Sequence, residues 1–240
     1  MRRLGQHFLS DPKILGRIVE ALDPEPGETV IEIGSGRGAL TRELLNRGLR
    51  VIAIERDRGL AAALEGARVI VGDALEIDWH SLAAHKIVGN IPYYITSPLI
   101  DKALTPPLPE RVVFLVQAEV ADRMAAPPGT KTYGALSVGV QSLCRVEKLF
   151  TIAAGAFQPP PKVRSAVVRL TPLAEPLIEP QEIAAFRKFV TACFSKRRKQ
   201  LKNAVPGITE RQLQELGFDP MTRPERLSPT AFVRLLRAVQ

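Results

Sequence analysis

The segment Asn90-Ile91-Pro92-Tyr93 has the residue types and spacing most suited to chemistry in this 240-residue sequence. An Asn-x-Pro-aromatic turn brings together an amide carbonyl, a free backbone carbonyl and a ring. This set suits a planar substrate with an exocyclic amino group, because two acceptors that hold its hydrogens can turn the nitrogen lone pair toward an electrophilic methyl group. Stacking on the ring would fix the substrate, at about 1–3 kcal/mol per base. Turns of this kind also occur with a purely structural role.

A glycine-rich segment, 34–38, follows an apolar run and would let the backbone approach a ligand closely. Glu55 closes the next apolar run, and a carboxylate there can accept both ribose hydroxyls of an adenosine. Asp73 ends the third run and can accept from an adenine amino group. These features predict an adenosine-containing cofactor. The glycine segment also satisfies the dinucleotide pattern, so by itself it does not choose the cofactor.

Short apolar runs alternate with helical stretches before residue 171, which predicts a doubly wound α/β sheet. Because the runs are apolar throughout, they are typical of buried parallel strands. Ligands of such sheets bind at the carboxyl ends of the strands, where the residues above fall. The predicted strands are Thr29–Ile33, Arg50–Ile54, Arg68–Val71, Lys86–Val88, Arg111–Gln117 and Ser165–Leu170.

A proline-rich segment, 171–180, predicts a linker, and beyond it the strand pattern stops. Apolar residues then recur at helical spacing, and one helix is expected to run from Phe186 through Leu201. We therefore expect two domains, a cofactor-binding catalytic domain over residues 1–175 and a small, basic, all-helical domain over residues 176–240.

Positive charge is concentrated near the C-terminus. The chain has 33 Lys and Arg and 25 Asp and Glu, and residues 181–240 alone hold 12 and 5 of these. Such asymmetry suggests a polyanionic partner. One basic run supplies five of the cations: Lys196, Arg197, Arg198, Lys199 and Lys202. Two roles are open for this run, a solvated helix face or a set of phosphate contacts.

Several classes of protein are not expected. The longest apolar runs are far below the ~18–20 residues that cross a bilayer. The N-terminal segment reaches Asp11 and Pro12 before any apolar stretch develops, so no secretory signal and a cytoplasmic location are predicted. The two cysteines, Cys144 and Cys193, cannot form a disulfide framework, and the three histidines have no metal-binding spacing.

Six segments in order form a specific pattern that extends over both expected domains. They are Gly5–Leu9, Glu32–Gly38, Asn90–Tyr93, Phe157–Ser165, Cys193–Asn203 and Arg223–Ser228. The pattern resembles the ribosomal RNA adenine N6,N6-dimethyltransferases, and most of all the bacterial small-subunit branch, whose loss gives kasugamycin resistance. The resemblance implies a Rossmann-like S-adenosylmethionine-dependent methyltransferase domain followed by a small all-helical C-terminal domain.

The resemblance also assigns roles to residues of the cofactor site. The residues implied to bind S-adenosylmethionine are His7, Leu9, Gly34, Gly36, Glu55, Asp73 and Asn90. Glu55 would hold the ribose, Asp73 the adenine amino group, and Gly34 would lie under the methionine moiety. The family often has asparagine where this chain has His7.

The catalytic residues that the resemblance implies are Asn90, Ile91, Pro92, Tyr93 and Phe157. Asn90 would face the methyl group, and Tyr93 and Phe157 would sandwich the target adenine. The basic run would contact RNA phosphates.

The implied activity is dimethylation of N6 on two adjacent adenines, in a hairpin loop near the 3′ end of 16S rRNA, during small-subunit biogenesis. The implied partner is small-subunit rRNA in an immature 30S particle, and we expect a monomer with no metal and no membrane contact.

One alternative is a 23S rRNA adenine methyltransferase of the antibiotic-resistance type, which should lack the Arg-Arg-Lys-x-Leu segment. A non-catalytic assembly or transcription factor on the same fold is disfavoured by the intact Asn90–Tyr93 turn. A nicotinamide oxidoreductase would need a catalytic His, Tyr-Lys or Cys near the cofactor.

Overall fold

The computed structural model describes residues 6–196 and 198–240. Its strands are, in chain order, β1 (Phe8–Leu9), β2 (Thr29–Ile33), β3 (Arg50–Glu55), β4 (Arg68–Val71), β5 (Lys86–Asn90), β6 (Arg111–Gln117), β7 (Cys144–Ile152), β8 (Phe157–Gln158) and β9 (Ser165–Pro172). Its helices are α1 (Pro12–Leu22), α2 (Ala39–Asn46), α3 (Arg58–Ala61), α4 (Thr96–Ala103), α5 (Ala118–Met124), α6 (Ala135–Gln141), α7 (Ile183–Ser195), α8 (Leu201–Ala204), α9 (Glu210–Glu215) and α10 (Pro229–Val239). None of the helices in these two ranges is long and apolar enough to cross a membrane.

The chain divides into two compact units. The sheet unit comprises the described residues up to Ala121 together with Glu147–Pro172, and the helical unit comprises Asp122–Val146 together with Leu173–Gln240. The domain boundary predicted after residue 175 lies close to the division between Pro172 and Leu173, but the prediction placed residues 122–146 in the first domain. These residues group with the helical unit because α6 packs on α7. The pattern of one segment does not reveal which distant segment covers it.

The sheet unit is built on a seven-stranded mixed sheet in the order β4-β3-β2-β5-β6-β9-β7. The strands from β4 to β6 are parallel, whereas β9 runs antiparallel to β6, with Val168 opposite Phe114. All six predicted strands are present, so the predicted α/β class is confirmed. The prediction that all of them are parallel is wrong for β9, because a strand buried between two neighbours is apolar in either direction. Strand β7 was not predicted, since Arg, Glu and Lys interrupt its apolar residues.

Helices α1 and α2 cover one face of this sheet. The Asp11 side chain accepts hydrogen bonds from the backbone N–H groups of Lys13 (2.9 Å) and Ile14 (3.3 Å), and Pro12 occupies the first helical position. This is the N-terminal signal that the sequence carries. Side chains of both helices, including Leu22 and Leu44, then form one buried core with β2, β5 and β6.

The helical unit corrects one prediction about the basic run. Helix α7 ends at Ser195 and α8 begins only at Leu201, so no single helix runs through the lysines and arginines. The first N–H groups of α8 bond outside the run: Leu201 donates to the Thr222 carbonyl (2.7 Å) and Lys202 to the Pro220 carbonyl (3.3 Å). These tertiary partners satisfy the donors that a helix start leaves free, and so they make a new start possible at this point.

Local signals in the sequence mark the other helix ends of the helical unit. Thr209 and Gln212 form a capping box at the start of α9, and Gly217 follows its end with a φ of +78°. Ser228 caps α10 by accepting from the Ala231 N–H at 3.2 Å.

Candidate active site

A cleft that encloses about 1210 Å³, including the open space at its mouth, lies at the carboxyl ends of the parallel strands of the sheet unit. The register places these ends at one level, because Ile33 of β2 lies opposite Ile54 of β3 and Gly89 of β5. The sequence-predicted residues that line the cleft are His7, Leu9, Gly34, Gly36, Glu55, Asp73, Asn90, Ile91, Pro92 and Tyr93.

Two glycines allow the backbone to pass close to its neighbours at this edge. Gly36 has a φ of +55°, and a Cβ atom there would lie 3.1 Å from the Phe8 ring. A Cβ atom at Gly89 would lie 2.5 Å from the Ile33 carbonyl oxygen, so β2 and β5 could not pair so closely with a larger residue. The glycine-rich loop is joined to β3 as well, because the Gly34 N–H donates to the Ile54 carbonyl at 2.9 Å.

Glu55 is a buried carboxylate that the backbone holds on both oxygens. The Gly36 N–H donates to its Oε2 and the Asp57 N–H to its Oε1, each at 2.8 Å. An ionised carboxylate has about four acceptor sites, so each oxygen can still accept one hydrogen bond from a ligand. The backbone contacts therefore orient the Glu55 carboxylate and leave it able to accept further hydrogen bonds.

Asp73 is the second carboxylate of the cleft. Its Oδ1 accepts from the Leu75 N–H at 2.9 Å, and its Oδ2 lies 3.4 Å from the Arg56 guanidinium. The guanidinium is itself largely exposed, so the pair is open to solvent on that side. Asp73 therefore offers a positioned acceptor at the end of β4.

An adenosine-containing cofactor fits the donors and acceptors of this cleft. Glu55 and Asp73 present acceptors suited to hydroxyl and amino groups. Ser35, also at the cleft, has a buried Oγ that makes no hydrogen bond to any described residue. Leaving such a group unpaired costs roughly 1–3 kcal/mol, which a bound polar ligand would recover.

The Asn90 side chain is fixed by a contact across the cleft. Its Nδ2 donates to the His7 carbonyl at 2.9 Å, which leaves Oδ1 as an acceptor. The next residue, Ile91, donates its N–H to the Leu115 carbonyl at 3.0 Å. Its own carbonyl accepts no hydrogen bond from the part of the chain that the structure describes. Two acceptors on consecutive residues of the cleft are therefore left without a partner among the described residues.

Tyr93 is held at the mouth of the cleft from two sides. Its hydroxyl hydrogen-bonds Ser165 Oγ at 2.7 Å, and its ring stacks on the His7 imidazole with centroids 5.8 Å apart. His7 in turn bonds the Pro159 carbonyl through Nδ1 at 2.7 Å. Burial raises the pKa of Tyr93, so the phenol stays neutral. The His7 side chain thus supports Tyr93, and its carbonyl supports Asn90.

Phe157 does not line the cleft. Strand β8 pairs antiparallel with β1, with Phe157 opposite Leu9, and the Phe157 ring is only 4% exposed. It belongs to the core that also contains Leu9 and Ile152. In this two-residue strand the side chains alternate, so Gln158 is exposed and Phe157 faces inward. The structure therefore does not form the predicted sandwich of Tyr93 and Phe157.

Two further residues of the cleft were given no role in the sequence analysis. Glu32 is buried in β2, accepts from Thr41 Oγ1 at 2.6 Å, and has a pKa raised by desolvation to about 7. Its signal was a charged residue inside an apolar run. Tyr94 is 59% exposed and borders the cleft directly after Tyr93, and its signal was a second aromatic residue in the turn.

The basic run lies in the helical unit, outside the cleft. Lys196, Arg198 and Lys199 are exposed, and Lys202 forms an ion pair with Glu210 at 3.2 Å. Arg197, which the sequence analysis placed in the same run, lies outside the described residues. Within residues 6–196 and 198–240, no group of three or more His, Cys, Asp or Glu side chains is placed to hold a metal ion.

The model of the family described as ribosomal RNA adenine dimethylase matches residues 1–238 of the sequence. The chain belongs to this family. Relatives named ribosomal RNA small subunit methyltransferase A include the protein of Hahella chejuensis, 44% identical over 98% of this chain and 90% of the relative. The protein of Pseudomonas aeruginosa with the same name is 42% identical over 98% of this chain and 92% of the relative.

Solved structures of similar proteins agree with membership in the ribosomal RNA adenine dimethylase family. A dimethyladenosine transferase from Plasmodium falciparum superposes with a TM-score of 0.83 at 28% identity, over 95% of this chain and 96% of that one. The 23S rRNA methyltransferase ErmE has a TM-score of 0.73 at 30% identity, over 97% and 99%. As a family member the chain is an S-adenosylmethionine-dependent rRNA adenine dimethyltransferase, and the oxidoreductase alternative is set aside.

Proposed function

We propose that this protein dimethylates N6 of two adjacent adenines, in a hairpin loop near the 3′ end of 16S rRNA, within an immature 30S particle. It acts as a cytoplasmic monomer in small-subunit biogenesis. The observation that carries the proposal is the pair of open acceptors, Asn90 Oδ1 and the Ile91 carbonyl, at the cleft. The small-subunit methyltransferases of Hahella chejuensis and Pseudomonas aeruginosa, at 44% and 42% identity, support the small subunit as the substrate over the large one.

S-adenosylmethionine, when bound, supplies an electrophilic methyl group. Glu55 would accept from the ribose hydroxyls and Asp73 from the amino group of the cofactor adenine, as their orientations allow. The unpartnered Ser35 hydroxyl would bond a polar group of the cofactor. Gly34, at the end of β2, leaves room beside the loop for the methionine moiety.

The reacting amino group of the target adenine would be held by the Asn90 turn. Its two N–H bonds donate to Asn90 Oδ1 and to the Ile91 carbonyl, which turns the nitrogen lone pair out of conjugation with the ring. Held by Asn90 and Ile91, the lone pair would form the new N–C bond to the methyl group that S-adenosylmethionine supplies, and the electrons of the broken S–C bond would stay on the cofactor sulfur. The nitrogen is then positively charged and acidic, and it releases a proton without a strong base. One N–H bond is left for the second transfer.

Tyr93 would bind the target base by stacking. Its ring is oriented by Ser165 and His7 before any substrate arrives, so little further ordering is needed when the base enters. The resemblance also assigned stacking to Phe157. That role requires the Phe157 ring to leave the core in which it packs, so we assign the stacking contact to Tyr93.

The helical unit is proposed to bind the ribosomal particle. Its residues 181–240 hold 12 of the 33 Lys and Arg, and Lys196, Arg198 and Lys199 are exposed. Exposed cations attract RNA phosphates and release counterions on binding. The division into a catalytic sheet unit and an RNA-binding helical unit follows from this proposal.

The test is methyl transfer from labelled S-adenosylmethionine to immature small subunits, followed by nucleoside analysis. We expect N6,N6-dimethyladenosine at two adjacent positions of 16S rRNA, and none in an equal amount of 23S rRNA. Expression of the gene in kasugamycin-resistant cells that lack the activity should restore sensitivity. Label in 23S rRNA alone would instead identify the antibiotic-resistance type of enzyme.

A further inference from the structure

Tyr94 is an exposed aromatic side chain at the mouth of the cleft. Single exposed apolar side chains are common and need no explanation. Tyr94 is unusual because of its place. Among the described residues four large apolar side chains are exposed, and two of them lie close in the chain to Tyr93 or to its partner Ser165. Tyr94 follows Tyr93 in the chain, and Val163 lies two residues before Ser165, which bonds the Tyr93 hydroxyl.

Hydrogen bonds hold the backbone that carries Tyr94. Tyr93–Ile95 form a 3-10 turn, closed by a hydrogen bond of 3.1 Å from the Ile95 N–H to the Pro92 carbonyl. Thr96, the first residue of α4, donates its hydroxyl to the carbonyls of Pro92 (3.3 Å) and Tyr93 (3.2 Å). The Tyr94 ring is therefore presented from a fixed turn, and ordering it against a ligand costs little backbone entropy.

The substrate chemistry supplies a partner for this ring. An adenine that enters the cleft must leave its stack, and the neighbouring nucleotide then exposes a face of its base. Aromatic side chains stack on unpaired RNA bases whatever their sequence. The Cα atoms of Tyr93 and Tyr94 are about 3.8 Å apart, as in any trans peptide, so one turn can offer two rings to two consecutive nucleotides.

We propose that Tyr94 stacks on the nucleotide next to the adenine being methylated, and so positions the RNA strand at the cleft mouth. The inference rests on the proposed function, since it requires a single-stranded RNA substrate. It extends that function, because it assigns the target base to one ring, Tyr93, and the neighbouring base to a second ring, Tyr94. With two adjacent target adenines, the adenine outside the cleft would be the one stacked on Tyr94.

Single-turnover methylation of immature small subunits, with the full chain and saturating S-adenosylmethionine, tests this role. Tyr94→Ala should lower the rate at subsaturating particle concentration by about tenfold, the order expected for one lost stack. Tyr94→Phe and Tyr94→Trp should restore the rate, whereas Tyr94→Leu, which keeps bulk but has no π-face, should not. The melting temperature and the affinity for S-adenosylhomocysteine should stay unchanged in all four. Val71→Ala, which shortens an exposed apolar side chain of β4 that does not line the cleft, is the matched control.

The outcomes separate this inference from the proposed function. If the wild-type protein transfers methyl groups and Tyr94→Ala or Tyr94→Leu is equally active, the role of Tyr94 is overturned and the proposed function stands. A Tyr94→Ala defect that comes with a lower melting temperature or weaker cofactor binding would also overturn it, since the turn itself would then have been disturbed. Wild-type protein that transfers no methyl group to the particles would overturn the proposed function, and this inference with it.

Discussion

The polar groups of the cleft and the cations of the basic run are held in opposite ways. In the cleft, Glu55 is bound by two backbone N–H groups and Asn90 by the His7 carbonyl. In the run, Lys196 and Arg198 are exposed and form no ion pair within the described residues. Aligning a lone pair with a methyl group requires groups fixed in advance. Attraction of phosphates acts over roughly 8–10 Å in physiological salt and tolerates mobile side chains.

The largest effect, on the rate of methyl transfer, is expected for Asn90, whose side chain is held in place in the cleft. Asn90→Ala should lower methyl transfer by at least about 100- to 1,000-fold, as when one preorganised polar group is removed from an active site. Affinity for S-adenosylhomocysteine, measured by calorimetry, should stay within about tenfold, because Asn90 Oδ1 acts on the substrate amino group. Asn46→Ala, which removes an exposed amide of the sheet unit away from the cleft, is the control. Transfer close to wild type in Asn90→Ala would contradict the mechanism.

Phe157 tests whether the ring at the start of β8 belongs to the core or to the substrate site. Phe157→Ala should lower the free energy of unfolding by about 3–5 kcal/mol, the usual cost of truncating a buried phenylalanine. Urea denaturation of the full chain measures this, with Phe157→Leu as a milder variant. Unchanged stability together with lost methyl transfer would show that the ring stacks on the target adenine instead.

Glu32 tests the electrostatics of the cleft floor. Its pKa, about 7 in the folded protein, exceeds the unfolded value of 4.5, so the folded state retains a proton that the unfolded state has lost. Stability should therefore fall as pH rises from 4.5 to 7, by about 3 kcal/mol from this group. Glu32→Gln should remove this part of the slope in urea denaturation at pH 5 and pH 8. Parallel pH profiles for wild type and variant would show that Glu32 is ionised throughout.

The smallest effect per residue is expected in the basic run. Changing Lys196, Arg198 and Lys199 to Ala should weaken particle binding and flatten its salt dependence by about 0.7–0.9 in log–log slope per lost contact. Cofactor affinity should not change. A matched triple variant of exposed cations in the sheet unit, at Lys13, Arg50 and Arg68, should bind the particle as wild type does. If the salt dependence of particle binding is the same for both triple variants, the basic run is only a solvated surface.

Local sequence patterns determined much of this protein. Apolar runs showed where six strands lie, and Asp11 and Thr209 showed where two helices begin. Both signals are local, because a buried strand is apolar along its own residues and a cap bonds residues two or three positions further along the chain. The carboxyl ends of parallel strands meet at one edge of a sheet, so the positions of Glu55, Asp73 and Asn90 followed as soon as the strands were known.

Contacts between distant residues decided the rest. The Asn90 amide is oriented by a carbonyl 83 residues earlier in the chain. Phe157 turned inward because β8 pairs with β1, and the helix expected through the basic run is interrupted where Leu201 donates to Thr222. The direction of β9 was likewise open, since an apolar strand can pair either way. Residue type and spacing specify what a segment can bury and where it turns. Only the packed chain specifies which partner satisfies each donor and which ring is left open to a substrate.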